Sequence, residues 1–364
     1  MSEASVQLTS PDLALVVIAR NEAASIERCL LSAKPFVSRM VVLDTGSTDD
    51  TVAIAEACGA RVSHFAWTDD FSAARNAALA AANADWNLVL DADEWLESGG
   101  EHLRMLGSTP PSLGVVCVKN DTDAGESSHL IAWIPRLLPR GVRYVGRIHE
   151  QPVSSLPAAR VPVVIRHDGY TPAKMQHKGE RNTRLLLAEL EHRPDDPYVL
   201  YQLGKETELH REDHATAAQY YARAYDLAPP DAPYRCNLAL RYLYCLGKAD
   251  RMEDAMAHAD VSIRAWPDFP DLCFALGLVL VDAAVRHPED ADTRWLPLAE
   301  QVFNRCLEIG DRADMDGSVT GRGSFLAAQQ LAIVYQMQSR ALARKSEQYL
   351  AMSKRLQDAP QPLA

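Results

Sequence analysis

The stretch Trp86-Asn87-Leu88-Val89-Leu90-Asp91-Ala92-Asp93 joins a short apolar run to two carboxylates one residue apart. The run from Asn87 to Leu90 predicts a buried β-strand, because it is apolar, short and bounded by polar residues. Carboxylates directly after a parallel strand lie at the carboxyl edge of its sheet, where open α/β sheets bind ligands. A divalent cation that bridges a diphosphate would balance their charge. The alternative is a solvated turn that caps the next helix.

Residues 13 to 92 alternate β-rich runs with amphipathic or alanine-rich stretches, a pattern that predicts βαβ units around a mostly parallel sheet. From residue 113 to 167 the pattern changes to strands without a long helix, which predicts the antiparallel half of a mixed sheet. The predicted strands are Leu13 to Ala19, Met40 to Leu43, Arg61 to Phe65, Asn87 to Leu90, Val115 to Val118, His129 to Leu138 and Val161 to Ile165, and the predicted helices are Ala23 to Ala33, Asp50 to Ala57 and Phe71 to Asn83.

After Thr171-Pro172 the sequence predicts helices separated by turns that contain proline. Small and aromatic residues there approach the tetratricopeptide spacing, in which small residues allow close helix packing inside each hairpin. A plain helical bundle is the alternative. We therefore predict two domains, 1–182 and 183–364, and a mobile loop from Gly317 to Gly323. The residues near the repeat spacing are Leu200, Leu203, Gly204, Ala217, Tyr221, Ala224, Pro229, Ala255, Ala259, Ser262, Pro267, Leu276, Gly277, Ala299, Phe303 and Cys306.

Composition limits the class of protein. The chain has 364 residues, of which 47% are hydrophobic and 24% charged, so intrinsic disorder of the whole is excluded. A formal net charge of -12 argues against nucleic acid or an anionic membrane as the main partner. The apolar runs are too short to span a bilayer, no basic region precedes an apolar stretch at the start, and the seven cysteines form no C-x-x-C pair. We expect a soluble cytoplasmic protein with no disulfide framework.

Three further polar motifs follow predicted elements of the same sheet, and we expect them to converge with Asp91 and Asp93 on one cleft. They are Ala19-Arg20-Asn21-Glu22, Asp44-Thr45-Gly46-Ser47-Thr48-Asp49 and Asp69-Asp70-Phe71-Ser72-Ala73-Ala74-Arg75-Asn76. With these motifs the sequence resembles glycosyltransferase family 2, whose members have the GT-A fold and mostly use nucleotide-diphosphate sugars with inversion. It is most similar to a branch that includes lipopolysaccharide-core transferases and the transferase that S-glycosylates the peptide sublancin, which carries a tetratricopeptide-like domain behind its catalytic one.

The resemblance implies a role for each matched residue. Ala19 and Glu22 would line the nucleoside pocket, Asp44 would bind the base or ribose, Arg75 would lie beside the diphosphate, Asp91 would contact the ribose or sugar, and Asp93 would bind Mn²⁺ or Mg²⁺. Two alternatives stay open. Asp44 can cap its own turn, and Arg75 can form a salt bridge to Asp69 or Asp70.

Two later motifs complete the predicted site. Removal of the acceptor proton needs a base, and in Gly146-Arg147-Ile148-His149-Glu150-Gln151 the first candidate is Glu150 and the second His149. The alternative is a His-Glu pair that only fixes a loop. His167-Asp168-Gly169-Tyr170 resembles a family position at which a late histidine binds the metal, so His167 is a predicted ligand.

Together these features predict a GT-A domain with a Rossmann-like mixed sheet, followed by an all-α tetratricopeptide-like domain. The predicted activity is metal-dependent, inverting transfer of a sugar from a nucleotide-diphosphate donor, UDP-sugar preferred, to a peptide or protein. Alternatives are a lipopolysaccharide-core or other glycan acceptor, and an inactive transferase domain that serves as a scaffold. A nucleotidyltransferase would need a glycine-rich phosphate loop after the first strand, and Ala19-Arg20-Asn21-Glu22 contains no glycine. Relatives with helical tails suggest a homodimer by analogy.

Overall fold

The computed structural model describes residues 12–108, 111–122, 127–168, 172–338 and 343–358. The chain divides into two compact units. The first contains the described residues up to Asp121 together with Trp133–Lys174, and the second contains Thr122–Ala132 and the described residues from Met175 onward. The helix Pro172–His192 contains both this division and the predicted boundary at residue 182, which stays a prediction.

Parallel strands form the first half of unit one. In their register Ala19 lies beside Asp44, and Ile18 beside Asp91, so the predicted site residues of three strands end at one edge of the sheet. This half confirms the βαβ pattern. Its elements are β1 (Leu13–Ala19), α1 (Ile26–Ala33), β2 (Arg39–Asp44), α2 (Thr51–Ala57), β3 (Arg61–His64), α3 (Phe71–Ala82) and β4 (Trp86–Asp91), with a 3₁₀ turn at Lys34–Phe36.

The second half of the unit makes the sheet mixed, as predicted. β7 runs antiparallel to β4, while β10 is parallel to β6 and antiparallel to β5. The strand order is β3-β2-β1-β4-β7-β6-β10-β5, and β8 and β9 form a separate ribbon. These strands are β5 (Glu94–Ser98), β6 (Leu113–Asp121), β7 (His129–Pro139), β8 (Arg143–Val145), β9 (Gln151–Val153) and β10 (Ala158–His167), and a 3₁₀ segment covers Gly100–Ser108.

The central strands of this unit are buried along nearly their whole length. In β1 every residue except Ile18 is buried, and in β4 every residue except Asp91 is buried. Continuous burial is typical of parallel strands that are covered on both faces. The apolar runs therefore form the buried strands, and the polar residues that follow them lie at the edge of the sheet.

The second unit is helical and consists mainly of antiparallel hairpins with tetratricopeptide-like packing. A Cβ on Gly204 would lie 2.3 Å from the ring of Tyr221, and one on Gly277 would lie 2.4 Å from the ring of Phe303. Glycine is required there because the two helices of each hairpin approach too closely for a side chain. The helices are α4 (Pro172–His192), α5 (Pro197–Arg211), α6 (His214–Leu227), α7 (Arg235–Lys248), α8 (Met252–Ala265), α9 (Pro270–Arg286), α10 (Leu296–Ile309), α11 (Phe325–Gln338) and α12 (Ala343–Gln357), with a π-helical turn at Ala291–Trp295.

The prediction of a mobile loop from Gly317 to Gly323 is wrong. Ser318 and Thr320 are buried, and the loop exchanges backbone hydrogen bonds with His129 and Ile131. Asp271 of α9 is fully buried, and its Oδ1 accepts hydrogen bonds from the backbone N–H of Val319 and from Arg322, each at 2.9 Å. The glycines therefore permit a tight path for the chain and do not indicate mobility.

Among the described residues, no helix is long and apolar enough to cross a membrane. All seven cysteines are free thiols, and six of them are buried, where a thiol packs as a small apolar group.

The contact between Gly277 and Phe303 gives a stability test of the helical packing. We expect Gly277→Ala to lower the free energy of unfolding by about 1–3 kcal/mol, because the new methyl group overlaps the ring. Phe303→Leu makes room, so the double variant should lose less than the sum of the two single losses. Urea unfolding measures all three variants, and strict additivity would contradict the packing described.

The buried carboxylate of Asp271 gives a test of the fixed loop. We expect Asp271→Ala to increase amide hydrogen exchange at Val319 and Thr320 at least tenfold, because both partners of Oδ1 are lost. Asp314→Ala is the control, since Asp314 pairs with Arg312 at the surface. Equal protection in Asp271→Ala and wild type would show that other contacts hold the loop.

Candidate active site

The carboxylate of Asp91 lies between two guanidinium groups at the end of β4. Its Oδ1 is 2.5 Å from Nη2 of Arg75, and its Oδ2 is 2.8 Å from Nη2 of Arg136. Burial alone would raise the pKa of Asp91, but Arg75 and Arg136 reverse the effect and hold it well below its usual range. Asp91 is therefore ionised, and both of its oxygens are already paired.

Arg75 links Asp91 to the loop that follows β8. The arginine is buried, and its Nε donates to Oε1 of Glu150. Its Nη1 is also buried and has no hydrogen-bond partner among the described residues. A buried guanidinium nitrogen without a partner is costly, so this atom is a ready donor for an anionic ligand.

The alternative in which Arg75 pairs with Asp69 or Asp70 is wrong, because both carboxylates have local partners. Asp70 caps α3 by accepting from the backbone N–H of Ala73 at 2.9 Å, and Asp69 accepts from Nε1 of Trp67 at 2.9 Å. The cap fixes the start of α3, and this places Arg75 in the second turn of the helix.

Asn76, next to Arg75, attaches α3 to β8. Its Nδ2 donates to the carbonyl of Tyr144 and its Oδ1 accepts from the N–H of Tyr144, each at 2.9 Å. The N–H of Phe71 donates to the carbonyl of Arg147 at 2.8 Å. The residues between Asp69 and Asn76 thus hold the later loop in place, which brings Glu150 to Arg75.

Asp44 is buried at the end of β2 and bonds to its own turn. It accepts hydrogen bonds from the backbone N–H of Gly46 and Ser47, both at 3.1 Å. Burial raises the pKa of Asp44, but the hydrogen bonds from Ser47 and Gly46 outweigh it and lower the pKa below its ordinary value. Its local bonds match the turn-capping alternative, and the predicted contact with a base or ribose stays a prediction.

The turn after β1 and the turn after β2 are joined by side-chain hydrogen bonds. Asn21 accepts from the backbone N–H of Thr48 at 2.8 Å, and Glu22 donates its N–H to Oγ1 of Thr51 at 2.7 Å. Asn21 has a φ of 56°, a conformation that asparagine tolerates better than most residues. Ala19 is buried directly before these turns. Ala19, Glu22 and Asp44 therefore lie together, as the sequence predicts.

The predicted base residues lie on the loop between β8 and β9. The loop turns at Gly146, with a φ of 99°, and at His149, with a φ of 50°. Glu150 uses Oε1 for Arg75, while its Oε2 accepts no hydrogen bond from the described residues. His149 is half-buried one residue earlier. Glu150 therefore reaches the same cluster as Asp91, with one carboxylate oxygen left for another group.

Asp93 and His167 come together across β5 and β10. Oδ2 of Asp93 is 3.4 Å from Nε2 of His167, and Nδ1 of His167 is 2.9 Å from Oδ1 of Asn120. Neighbouring ligands of one Mg²⁺ or Mn²⁺ ion lie about 3 Å apart, and a second hydrogen bond that orients the imidazole is typical of a metal-binding histidine. Gly169 and Tyr170 of the same motif lie outside the described residues.

Asp93 and His167 would offer two donor atoms to a metal. No cluster of three or more His, Cys, Asp or Glu side chains suited to a metal occurs in the described part of the chain. Asp93 and His167 fit a cation that takes its remaining ligands from a bound diphosphate and water.

Arg136 and Glu94 are the site residues that sequence reasoning missed. Nη2 of Arg136 is 2.5 Å from Oε1 of Glu94, and Oε2 of Glu94 accepts from the N–H of Asp91 at 2.9 Å. A signal was present, since Arg136 is a lone charge in the apolar run from Trp133 to Leu138, and such a charge must find a partner when buried. Glu94 directly follows the two predicted carboxylates.

The charges of the cluster alternate from Glu94 through Arg136, Asp91 and Arg75 to Glu150. Burial raises the pKa of Glu94, against the opposing effect of Arg136. Alternation lets each buried charge contact an opposite one, which is the condition for keeping ionised groups out of water.

The sequence is similar to those of known glycosyltransferases and of a TPR repeat-containing protein. Residues 14–120 match the family described as glycosyl transferase family 2. A TPR repeat-containing protein of Synechococcus elongatus is 40% identical over 209 residues, which cover 53% of this chain and 51% of that protein. The SPbeta prophage-derived glycosyltransferase SunS of Bacillus subtilis is 29% identical over 216 residues, 56% of this chain and 51% of that protein. The chain thus spans about half the length of these curated relatives.

A solved structure is also similar over a shorter part of the chain. It is glucosyl-3-phosphoglycerate synthase from Mycobacterium tuberculosis in complex with Mn²⁺, UDP and glucosyl-3-phosphoglycerate, which is 28% identical, covers 31% of this chain and 46% of that one, and has a TM-score of 0.26. The family match spans β1 to β6 and includes Asp44, Arg75, Asp91 and Asp93. Residues 14–120 of this chain therefore match glycosyltransferase family 2, and a helical unit that resembles tetratricopeptide repeats follows in the sequence.

Proposed function

We propose that this chain is a metal-dependent, inverting glycosyltransferase that moves a sugar from a nucleotide-diphosphate donor, preferably a UDP-sugar, to a peptide or protein. The observation that carries the proposal is the buried Arg75. It is held between Asp91 and Glu150, and its Nη1 has no partner among the described residues. A diphosphate oxygen is the acceptor that such a nitrogen would bind.

The donor would extend along the edge of the sheet. Ala19, Glu22 and Asp44 would contact the nucleoside, since they end neighbouring strands. Asp91 is ionised and partly exposed, and would accept hydrogen bonds from ribose or sugar hydroxyl groups. These assignments follow the family resemblance, and the parallel register of β1, β2 and β4 supports them.

Asp93 and His167 would hold Mn²⁺ or Mg²⁺. When bound, the cation would neutralise negative charge on the departing diphosphate. Asn120 would keep Nε2 of His167 directed at the cation, because it binds the other ring nitrogen. Arg75 would add a second positive group on the same diphosphate.

Glu150 would be the general base, with His149 as the second candidate. A base must accept the acceptor proton as the bond to the anomeric carbon forms, and inversion needs one such displacement. Arg75 holds Oε1 of Glu150 in place. Oε2 would then take the proton from the acceptor hydroxyl or thiol.

The peptide or protein acceptor is proposed from the helical unit, since repeat arrays present long surfaces to extended chains. The loop from Gly317 to Gly323 lies against Asn237 of α7 and Asp271 of α9, and thereby covers part of the surface formed by these helices. An acceptor would therefore bind beyond this covered part.

We place the reaction in the cytoplasm, where reduced cysteines such as these seven are the rule. A homodimer also remains a proposal.

Calorimetric titration of UDP, GDP, ADP and CMP, each with Mn²⁺ and with chelator, tests the donor site. We expect micromolar binding of UDP that depends on metal, and loss of at least tenfold in affinity for Asp93→Asn, because one metal ligand is weakened. Asp85→Asn is the matched control, since Asp85 lies at the opposite end of β4 in an exposed pair with Arg140. No binding of any nucleotide by wild type would favour the scaffold alternative.

The pairing of Arg75 with Glu150 and its proposed contact with the diphosphate have different effects on kcat and on UDP binding. We expect Glu150→Gln to lower kcat by about 10²–10⁴-fold, the usual contribution of a general base, with UDP affinity within threefold of wild type. Arg75→Gln should instead weaken UDP binding, because the donor to the diphosphate is lost. Glu97→Gln, which removes a surface partner of Lys119, is the control. Unchanged kcat in Glu150→Gln together with inactivity of His149→Ala would move the role of base to His149.

A further inference from the structure

Arg136 is a buried charge whose role the donor site does not explain. It lies on β7 with only 8% of its side chain exposed, inside an otherwise apolar run. Nothing in the proposed reaction needs it to touch the donor, because its reach ends at Asp91 and Glu94. Burying a guanidinium costs several kcal/mol unless its partners compensate, so the contacts of Arg136 must offset this cost.

Arg136, Asp91 and Glu94 form a closed ring of contacts around one turn of the chain. A single nitrogen, Nη2, contacts Oδ2 of Asp91 at 2.8 Å and Oε1 of Glu94 at 2.5 Å. The other oxygen of Glu94 accepts the backbone N–H of Asp91 at 2.9 Å. Both ends of the turn Asp91-Ala92-Asp93-Glu94 are thus held by one arginine and by each other.

Asp93 lies within this turn, and its carboxylate faces His167 at 3.4 Å. Loss of the Glu94 bond to the N–H of Asp91 would free the backbone of the turn. A displacement of about 1 Å is enough to spoil a metal site.

We infer that Arg136 and Glu94 are positioning residues that set the turn carrying Asp93, and so determine how strongly the site binds its cation. The inference rests on the proposed function. Arg136 acts through Asp91 and Glu94 and touches neither donor nor acceptor.

The test must separate positioning from charge balance. Arg136→Met removes the cationic partner of the buried Glu94 and one of the two partners of Asp91, and is expected to destabilise the fold. The double variant Glu94→Met with Arg136→Met removes one charge of each sign together with the acceptor of the Asp91 N–H, and Asp91 keeps its pair with Arg75. It is therefore the informative protein, and Arg136→Lys tests rescue by a shorter cation. Arg140→Lys is the matched control, because Arg140 follows β7 and forms an exposed pair with Asp85.

Three quantities are measured for each variant: the thermal midpoint, the Mn²⁺ concentration that gives half of the maximal UDP binding in calorimetry, and the UDP affinity in chelator. We expect the double variant to unfold within a few degrees of wild type but to need at least about tenfold more Mn²⁺. Arg136→Lys should recover part of this loss, and Arg140→Lys should match wild type. UDP affinity in chelator should stay within threefold in every variant, since none of the changed residues binds the nucleotide.

The outcomes are distinct. Wild-type Mn²⁺ dependence in the double variant would overturn the inference and leave the proposed function intact, because charge balance alone would then explain Arg136. Equal loss of UDP binding with and without metal would also overturn it, since the damage would not be specific to the turn. Failure of wild type to bind any nucleotide diphosphate would overturn the proposed function and this inference with it.

Discussion

The site depends on keeping the Asp91 carboxylate ionised at the end of a buried strand. Two buried guanidinium groups, from α3 and β7, pair with its two oxygens. Each arginine also pairs with a further anion, Arg75 with Glu150 and Arg136 with Glu94. The Asp91 carboxylate is therefore linked to four other charged residues, and their positions fix the start of β5 and the loop after β8.

Neighbouring residues of one sequence motif have different roles in the structure. In the segment from Asp69 to Asn76, only Arg75 points its functional group into the cluster, while Asp70 caps the helix and Asn76 binds the backbone of Tyr144. Asp44 likewise bonds to the amides of its own turn. Many polar side chains at this edge of the sheet therefore bind backbone groups of the turns and loops. These bonds keep the few side chains that face a ligand in position.

The helical unit follows a simpler rule. Two of its hairpins close where glycine meets an aromatic ring, as Gly204 meets Tyr221 and Gly277 meets Phe303. The exception is the loop from Gly317 to Gly323, which the buried Asp271 and the backbone of His129 and Ile131 hold in place. A loop rich in glycine is thus part of the packed structure.

The sequence by itself determined whatever depends on near neighbours in the chain. Short apolar runs predicted the strands, and the small residues predicted the hairpins, because burial and close packing follow from the residue types at nearby positions. Pairings between distant residues were decided only by the tertiary structure. Arg75 meets Glu150 75 positions away, and Arg136 meets Asp91 45 positions away. These pairs depend on which strands are neighbours in the sheet. A single sequence does not reveal this strand order, because it is set by contacts between distant segments.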